Sequence, residues 1–198
     1  MAKKIKIADI LNNSSNLEKR YIPNFDELRE VVRELKKKKL KIVLTQGVYD
    51  LIHQGHAAYL ERAKSLGDVL IVGVDSDALT KKRKGPSRPI VPEEERLKML
   101  VHLRHVDLVT LKGIDQGIGD LIRLVCPDIL VVSESTTDFT NQMAKEYEGV
   151  CKKIVSLPPQ ATTSTSARVR NLTIDGAEQL AKEIGKITQE FLNKIRNS

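Results

Sequence analysis

Two histidines, His53 and His56, are the residues of this chain best suited to chemistry, and they directly follow an apolar segment. Residues 43–56 read Val-Leu-Thr-Gln-Gly-Val-Tyr-Asp-Leu-Ile-His-Gln-Gly-His, a pattern that predicts a strand running into a helix. A helix N-terminus offers unpaired N–H groups and the positive end of the helix dipole, which together favour a bound anion. Both imidazoles, three residues apart, project toward the same side and could stabilise the transition state of a phosphate. Gly47 would let the backbone approach that ligand closely.

A metal site is the competing interpretation of these two histidines. The chain has four histidines, and the other two, His102 and His105, lie in a different segment. No cysteine or glutamate accompanies either pair at the spacing of a zinc site. We therefore expect no metal held by the protein alone.

The elements that must position the histidines alternate between strands and helices. Apolar runs rich in Val, Ile and Leu predict strands at 41–45, 69–74, 106–111, 129–133 and 154–157. Helical patterns predict helices at 25–38, 54–66, 93–104, 115–125 and 138–148. This alternation predicts a Rossmann-like α/β fold, a five-stranded parallel sheet with helices on both faces. Ligands of such folds bind at the carboxyl ends of the strands, which is where residues 45–56 lie.

The remaining segments lie on either side of this core. A length of 198 residues fits one domain with a full core, and a polar stretch makes residues 1–24 an N-terminal extension. At the other end, apolar residues at helical spacing predict a C-terminal helix at 176–198. We expect this helix to pack on its own domain, with a homodimer contact as the alternative.

Composition indicates the cellular compartment in which the protein is expected to function. It is 40% hydrophobic and 30% charged, as in ordinary soluble globular proteins. Cys126 and Cys151 are too few for a disulfide scaffold, which fits a reducing compartment. No apolar run approaches the length of a membrane span, and the N-terminal lysines have no hydrophobic signal core behind them. We expect a cytoplasmic protein that does not bind a membrane.

The formal net charge of +7 raises the question of nucleic-acid binding. The lysines at 36–39 end a predicted helix, where cations are favoured and well solvated. A second basic cluster at 81–84 precedes Gly85 and Pro86, which predicts a loop, and loop cations near a phosphate site can serve polyphosphate substrates. No nucleic-acid fold signature or aromatic stacking motif accompanies the charge. Small phosphorylated ligands explain it better than DNA or RNA, which we expect not to bind.

Residues 45–56 resemble the T-x-G-x-F/Y-D-x-x-H-x-G-H signature of the cytidylyltransferase-like nucleotidyltransferases. The matching residues are Thr45, Gly47, Tyr49, Asp50, His53, Gly55 and His56. Residues 163–168, Thr-Ser-Thr-Ser-Ala-Arg, resemble the family's S-T-T/S segment, which opens a helix and holds the β- and γ-phosphates. The resemblance implies the H-x-G-H nucleotidyltransferase fold, with a nucleotidyltransferase domain over residues 25–175.

A third segment, residues 74–96, is similar to the adenylyltransferase domain of bifunctional heptose-phosphate kinase/adenylyltransferases. Its K-G-x-x-R-P and E/D-R positions correspond to Lys84, Gly85, Arg88, Pro89, Glu95 and Arg96. The chain departs from that pattern at residues 132–135, where Val-Ser-Glu-Ser replaces a K-G-G-D-type segment near the nucleotide and acceptor. Arg104 instead resembles an arginine of the glycerol-3-phosphate cytidylyltransferases. A second arginine of those enzymes, ahead of the hydroxyl segment, is replaced here by Pro159. The base and the acceptor therefore stay open.

The resemblance also implies roles for individual residues. His53 and His56 would contact the α-phosphate of a nucleoside triphosphate, and Lys84 would bridge the donor and acceptor phosphates. The implied nucleotide-binding residues are Thr45, Gln46, Gly47, Tyr49, Asp50, Gly55, Arg96, Ser164, Thr165, Ser166 and Arg168. The implied acceptor-binding residues are Asp75, Asp77 and Arg88. Magnesium would arrive on the triphosphate, since carboxylates for a dedicated protein cage are not evident.

These residues predict an enzyme that needs no activated nucleophile, because an acceptor phosphate is an anion able to attack the α-phosphorus directly. We expect transfer of AMP from ATP to a phosphorylated small molecule such as heptose 1-phosphate, with release of pyrophosphate. The alternatives are transfer of CMP to glycerol or polyol phosphate, and transfer of AMP to FMN. A nucleotide-binding regulator without turnover is the non-enzymatic alternative, followed by a basic nucleic-acid-binding module.

Overall fold

The computed structural model describes residue 10 and residues 17–134, 139–160 and 165–196. The chain divides into two compact units, Met1–Ala161 and Thr162–Ser198. The first unit contains, in order, α1 (Leu17–Arg20), β1 (Tyr21–Ile22), α2 (Phe25–Lys37), β2 (Ile42–Gly47), α3 (Gln54–Lys64), β3 (Val69–Asp75), α4 (Asp77–Lys84), α5 (Glu93–His102), β4 (Leu108–Lys112), α6 (Ile118–Val125), β5 (Ile129–Ser133), α7 (Asn141–Glu146) and β6 (Lys153–Leu157). The second unit contains α8 (Thr165–Arg196).

Six strands in the described part of the chain form one parallel sheet, in the order β1-β4-β3-β2-β5-β6. The predicted Rossmann-like α/β fold is confirmed, but the predicted count of five strands was wrong. The sixth strand is β1, which pairs with β4 at the sheet edge through only two residues. Two residues are too few to produce a periodic hydrophobic pattern, so this strand could not be predicted from hydrophobic periodicity.

Side chains on the two faces of the sheet pack under different helices, because successive residues of a strand point to opposite faces. Ile42 and Leu44 pack with apolar residues of α2 and α6. Val43 lies on the opposite face with apolar residues of α3 and α5. Burial of both faces explains why the strands are continuously apolar.

The register of the strands brings their carboxyl ends together. Gln46 is paired with Gly73, which is paired in turn with Thr110 of β4. β2 continues to Gly47, two residues beyond its predicted end, so the histidine-containing segment begins inside the sheet. The carboxyl ends of β2, β3 and β4 therefore form one edge, directly before the segments that carry the candidate site residues.

The predicted loop at residues 81–84 was wrong, because these residues form the last turn of α4. The Ser76 hydroxyl caps the start of the helix by accepting a hydrogen bond from the backbone N–H of Leu79 at 3.1 Å. Gly85, with φ of 95°, ends it in a conformation that favours glycine. The four basic residues suit a helix C-terminus, where cations stabilise the dipole.

The second unit is a single long helix over its described residues. α8 begins at Thr165, earlier than the predicted start at 176. Its large apolar side chains at Leu172, Leu180, Ile184 and Ile187 are exposed. The predicted packing of this helix and the homodimer alternative stay predictions. Among the described residues, no helix is both long and apolar enough to cross a membrane.

Candidate active site

The loop between β2 and α3 has a shape that few residues adopt. Tyr49 and Leu51 both have positive φ, at 55° and 46°, although neither is glycine. Such conformations are sparsely populated and persist where surrounding contacts hold them, often at functional sites. Between them, the buried carboxylate of Asp50 accepts hydrogen bonds from the backbone N–H groups of Ile90 and Val91 and from Nη1 of Arg88, at 2.9–3.1 Å. The Asp50 carboxylate therefore fixes the loop against residues 88–91.

The two histidines form the start of α3 and bond to each other's backbone. His53 is the N-cap, and its Nδ1 accepts a hydrogen bond from the N–H of Gly55 at 3.1 Å. His56 reaches back, and its Nδ1 accepts from the N–H of His53 at 3.4 Å. This is the reciprocal arrangement of a capping box, with imidazoles in place of the usual hydroxyl and carboxylate. The ring centroids lie 4.1 Å apart, so the helix start fixes both rings together.

These backbone bonds determine which ring nitrogen carries the proton. A neutral imidazole that accepts through Nδ1 carries its hydrogen on Nε2. Nε2 of both His53 and His56 is therefore an N–H donor. Two such donors beside the N–H groups of a helix start suit a phosphate that gains charge during a reaction.

Burial lowers the pKa of His56 to about 4, with further lowering by His53 and Lys84 and an opposing effect of Asp50. His56 is therefore neutral at neutral pH. The Lys84 ammonium contributes to this lowering through its charge, and its membership of the site stays a prediction. Lys84 is exposed at the end of α4, just before Gly85 and the segment that Asp50 holds.

The low pKa of His56 predicts how stability depends on pH. Between the folded pKa of about 4 and the ordinary value of 6.5, the unfolded chain binds the proton more readily than the folded chain. The free energy of unfolding contributed by this residue is therefore fully present above the ordinary pKa, and falls as the pH is lowered toward the folded pKa. We expect Tm to fall in this window, and to fall less in a His56→Gln variant. Thermal melts across the window measure it.

The exposed His102 at the end of α5 provides the matched control for this measurement. A His102→Gln variant should keep the pH dependence of the unsubstituted chain. Identical slopes for the His56→Gln variant and the unsubstituted chain would show that His56 is not held neutral by burial.

Arg96, predicted to bind the nucleotide, is buried, and its guanidinium contacts the protein. It donates from Nε to the carbonyl of Val91, and from Nη1 to the carbonyls of Val48 and Asp75. Nη2 donates to the Asp77 carboxylate at 2.7 Å. Arg96 thus joins the segments after β2 and β3 to the start of α5, and its contact with nucleotide stays a prediction.

The three predicted acceptor-binding residues also bond within the protein. Arg88 pairs with Asp50 at 2.9 Å, and Asp77 accepts from Arg96. Asp75 is 1% exposed and pairs with Lys112 at 3.2 Å and with Arg83. Arg83 was predicted only as part of the basic cluster at 81–84, and Lys112 was not predicted, although a lysine that ends an apolar strand indicates a charged partner nearby.

Residues of β2 predicted to cradle the nucleotide have contacts of their own. The buried Thr45 hydroxyl lies 2.8 Å from the Tyr59 hydroxyl, which donates to the carbonyl of Val131. Tyr59 was missed by the sequence analysis, and it joins α3 to β2 and β5. The Gln46 amide donates to the carbonyl of Ile118 at 3.2 Å. These bonds fix the strand that leads into the histidines.

Gly47 and Gly55 are both closely surrounded by groups of the site. A Cβ on Gly47 would lie 3.2 Å from the ring of Tyr49, so close packing against this buried tyrosine already favours glycine there. Gly55 is buried in the first turn of α3 and donates its N–H to His53.

The predicted pyrophosphate-binding residues belong to the second unit. Ser164 lies outside the described residues, and Thr165, Ser166 and Arg168 lie in the first turn of α8. Their contacts with pyrophosphate stay predictions. Within the ranges that the structure describes, no three His, Cys, Asp or Glu side chains form a metal-binding group.

A parallel α/β sheet with paired imidazoles at the helix start after a central strand defines the class of nucleotidyltransferases that carry an H-x-G-H segment. Comparison with known proteins leads to the same class. The model of the cytidylyltransferase-like family matches residues 44–183, and the chain belongs to that family. It is a nucleotidyltransferase.

Individual relatives share the name bifunctional protein HldE. The protein from Nitratiruptor is 46% identical over 111 residues, which cover 56% of this chain and 24% of the relative. The protein from Helicobacter acinonychis is 41% identical over 144 residues, covering 71% and 29%. The protein from Sulfurimonas denitrificans is 33% identical over 170 residues, covering 84% and 35%. The chain thus spans between about a quarter and about a third of the length of these relatives.

Two solved structures are similar to this one. The lipopolysaccharide core biosynthesis protein from Thermoplasma volcanium has 30% sequence identity and a TM-score of 0.52, with 61% of this chain and 98% of that chain covered. The pantoate-beta-alanine ligase from Francisella tularensis has a TM-score of 0.57, with 77% and 72% covered, but only 17% identity. The second likeness therefore concerns the fold alone.

Proposed function

We propose that the chain transfers AMP from ATP to the phosphate of a phosphorylated sugar such as heptose 1-phosphate, and releases pyrophosphate. The observation that carries the proposal is the pair of imidazoles at the start of α3, each with its hydrogen on Nε2. The choice of acceptor is supported by the similarity to HldE proteins and to a lipopolysaccharide core biosynthesis protein. It is also supported by the Lys84–Pro89 segment that resembles heptose-phosphate adenylyltransferases.

In the proposed reaction an oxygen of the acceptor phosphate attacks the α-phosphorus of ATP. The bond from that phosphorus to the oxygen bridging it to the β-phosphate breaks, and its electron pair leaves with pyrophosphate. No proton has to be removed from the attacking oxygen, because a phosphate monoester is already an anion near neutral pH. The reaction therefore depends on positioning and charge stabilisation rather than on an activated nucleophile.

His53 and His56 would donate their Nε2–H groups to the α-phosphate oxygens, whose charge grows in the transition state. Lys84 would lie between the two phosphates and reduce their repulsion. Magnesium bound to the triphosphate would neutralise part of its charge.

The preference of the protein for one nucleotide base over another provides the test of this proposal. A pocket that hydrogen-bonds one base leaves its polar groups unpaired with another, so we expect ATP to exceed CTP by about 100-fold or more in kcat/KM. Pyrophosphate release is measured with ATP, CTP, GTP and UTP against sugar 1-phosphates, glycerol 3-phosphate and FMN. A preference for CTP with a polyol phosphate would contradict the adenylyl assignment, and nucleotide binding without release would favour a regulator.

A further inference from the structure

A cluster of three charged side chains lies next to Lys84 and has no part in the reaction steps proposed above. Asp75 ends β3 with its carboxylate 1% exposed. Its Oδ1 pairs with Nζ of Lys112 from the neighbouring strand β4, at 3.2 Å. Its Oδ2 pairs with Nη1 of Arg83, whose side chain is 23% exposed. The cluster joins two strands of the sheet to the last turn of α4.

These charges depend on each other. A buried carboxylate is costly unless it is paired, and the pairing of Asp75 offsets that cost. Burial also lowers the pKa of Lys112, and the Asp75 carboxylate opposes that effect. Asp75 and Lys112 therefore form a fixed ion pair in the sheet, and Arg83 attaches α4 to this pair.

Attachment through Arg83 determines the direction of the residue that follows. Successive side chains of an α-helix diverge by about 100°, so holding Arg83 against the sheet sets the rotation of the last turn and the direction of Lys84. Gly85 then ends the helix, and the Asp50 carboxylate holds residues 88–91. Lys84 thus lies between two anchored points, one at Asp75 and one at Asp50.

We propose that Arg83, held by Asp75 and Lys112, is a positioning residue that directs the Lys84 ammonium to the phosphates. This inference rests on the proposed function. Without the attachment, the last turn of α4 would no longer be held against the sheet, and a charge that is not pre-positioned contributes less to catalysis.

The test is a double-mutant cycle between Arg83 and Lys84. Arg83→Met leaves Asp75 paired with Lys112, so the fold is retained. We expect it to lower kcat about tenfold with KM for ATP nearly unchanged, and Arg83→Lys to restore kcat to within about threefold of the unsubstituted chain. In a Lys84→Met background, adding Arg83→Met should change kcat by less than about twofold, since both substitutions remove the same interaction.

Lys82→Met is the matched control, because Lys82 is an exposed cation in the same helical turn. It should leave kcat unchanged. Equal effects of Arg83→Met and Lys82→Met would overturn the proposal, and so would effects of Arg83→Met and Lys84→Met that multiply. A fall in Tm at unchanged kcat would show that the cluster only stabilises the fold.

A second readout separates this inference from the proposed function. The Lys84 charge contributes to the low pKa of His56, so NMR titration of His56 reports the position of Lys84 without any substrate. Arg83→Met should raise that pKa in the unsubstituted background and leave it unchanged in the Lys84→Met background. If no acceptor supports pyrophosphate release, the proposed function fails. The titration of His56 then still shows whether Arg83 positions Lys84. An unaltered His56 pKa in Arg83→Met would overturn the positioning.

Discussion

Replacing either histidine of the site is expected to lower kcat by about 100-fold or more while the affinity for ATP changes by less than about threefold. The reason is that an Nε2–H donor contacts an oxygen whose negative charge grows only in the transition state. Asparagine at position 53 keeps an N-cap acceptor, and glutamine at position 56 keeps the group that reaches back to the N-cap. The His53→Asn and His56→Gln variants therefore remove the imidazoles and retain the helix start. Steady-state kinetics and ATP titration measure both effects.

His102→Asn, at the exposed end of α5, is the matched control and should retain full turnover. Unchanged kcat in His53→Asn and His56→Gln would contradict the assignment of the imidazoles to the reacting phosphate. A loss of ATP affinity with kcat unchanged would instead show that they bind the ground state as strongly as the transition state.

The second large effect is expected at Lys84. Lys84→Met should lower kcat/KM about 100-fold, or roughly 2.7 kcal/mol, because a charge-assisted contact between an ammonium and a phosphate is among the stronger polar contacts. The effect should appear with both substrates, since Lys84 lies between donor and acceptor in the proposed reaction. Kinetics at varied ATP and varied acceptor measure it.

Two other lysines serve as controls for Lys84. Lys82 shares its helix, and Lys37 lies on the exposed end of α2. Lys82→Met and Lys37→Ala should change kcat/KM by less than about twofold. Equal losses at all three positions would mean that the basic residues act only through a general positive electrostatic potential, and that Lys84 makes no specific contact at the site.

The α/β fold could be predicted because buried parallel strands are apolar on both faces and stand out between amphipathic helices. The strand–helix junction at Gly47–His56 could be predicted because residue types with special backbone and acid–base properties occur there at fixed spacing. α4 was missed although its start and stop signals, Ser76 and Gly85, were present. The run of basic residues before Gly85 and Pro86 predicts a loop by its composition, whereas its charges also suit the end of a helix.

The partners of the charged residues could not be predicted, because they depend on strand register rather than on local sequence. Asp75 meets Lys112 only because β3 and β4 are adjacent with those two residues paired. Asp50 meets Arg88 only because the segment after α4 folds back to the loop after β2. Asp50, Asp75 and Arg88 were therefore predicted to bind ligands, whereas the structure shows each one bonded to another part of the protein.

The fate of the α-phosphorus is the most direct measurement of the proposed reaction. ATP labelled at the α-phosphorus is incubated with the chain, magnesium and a sugar 1-phosphate, and the products are separated and identified. We expect the label to appear in a new sugar nucleotide, the pyrophosphate to be unlabelled, and the two products to form in equal amounts. Transfer of the γ-phosphoryl group to the sugar, or the absence of labelled product with every acceptor and every nucleotide, would contradict the proposed reaction.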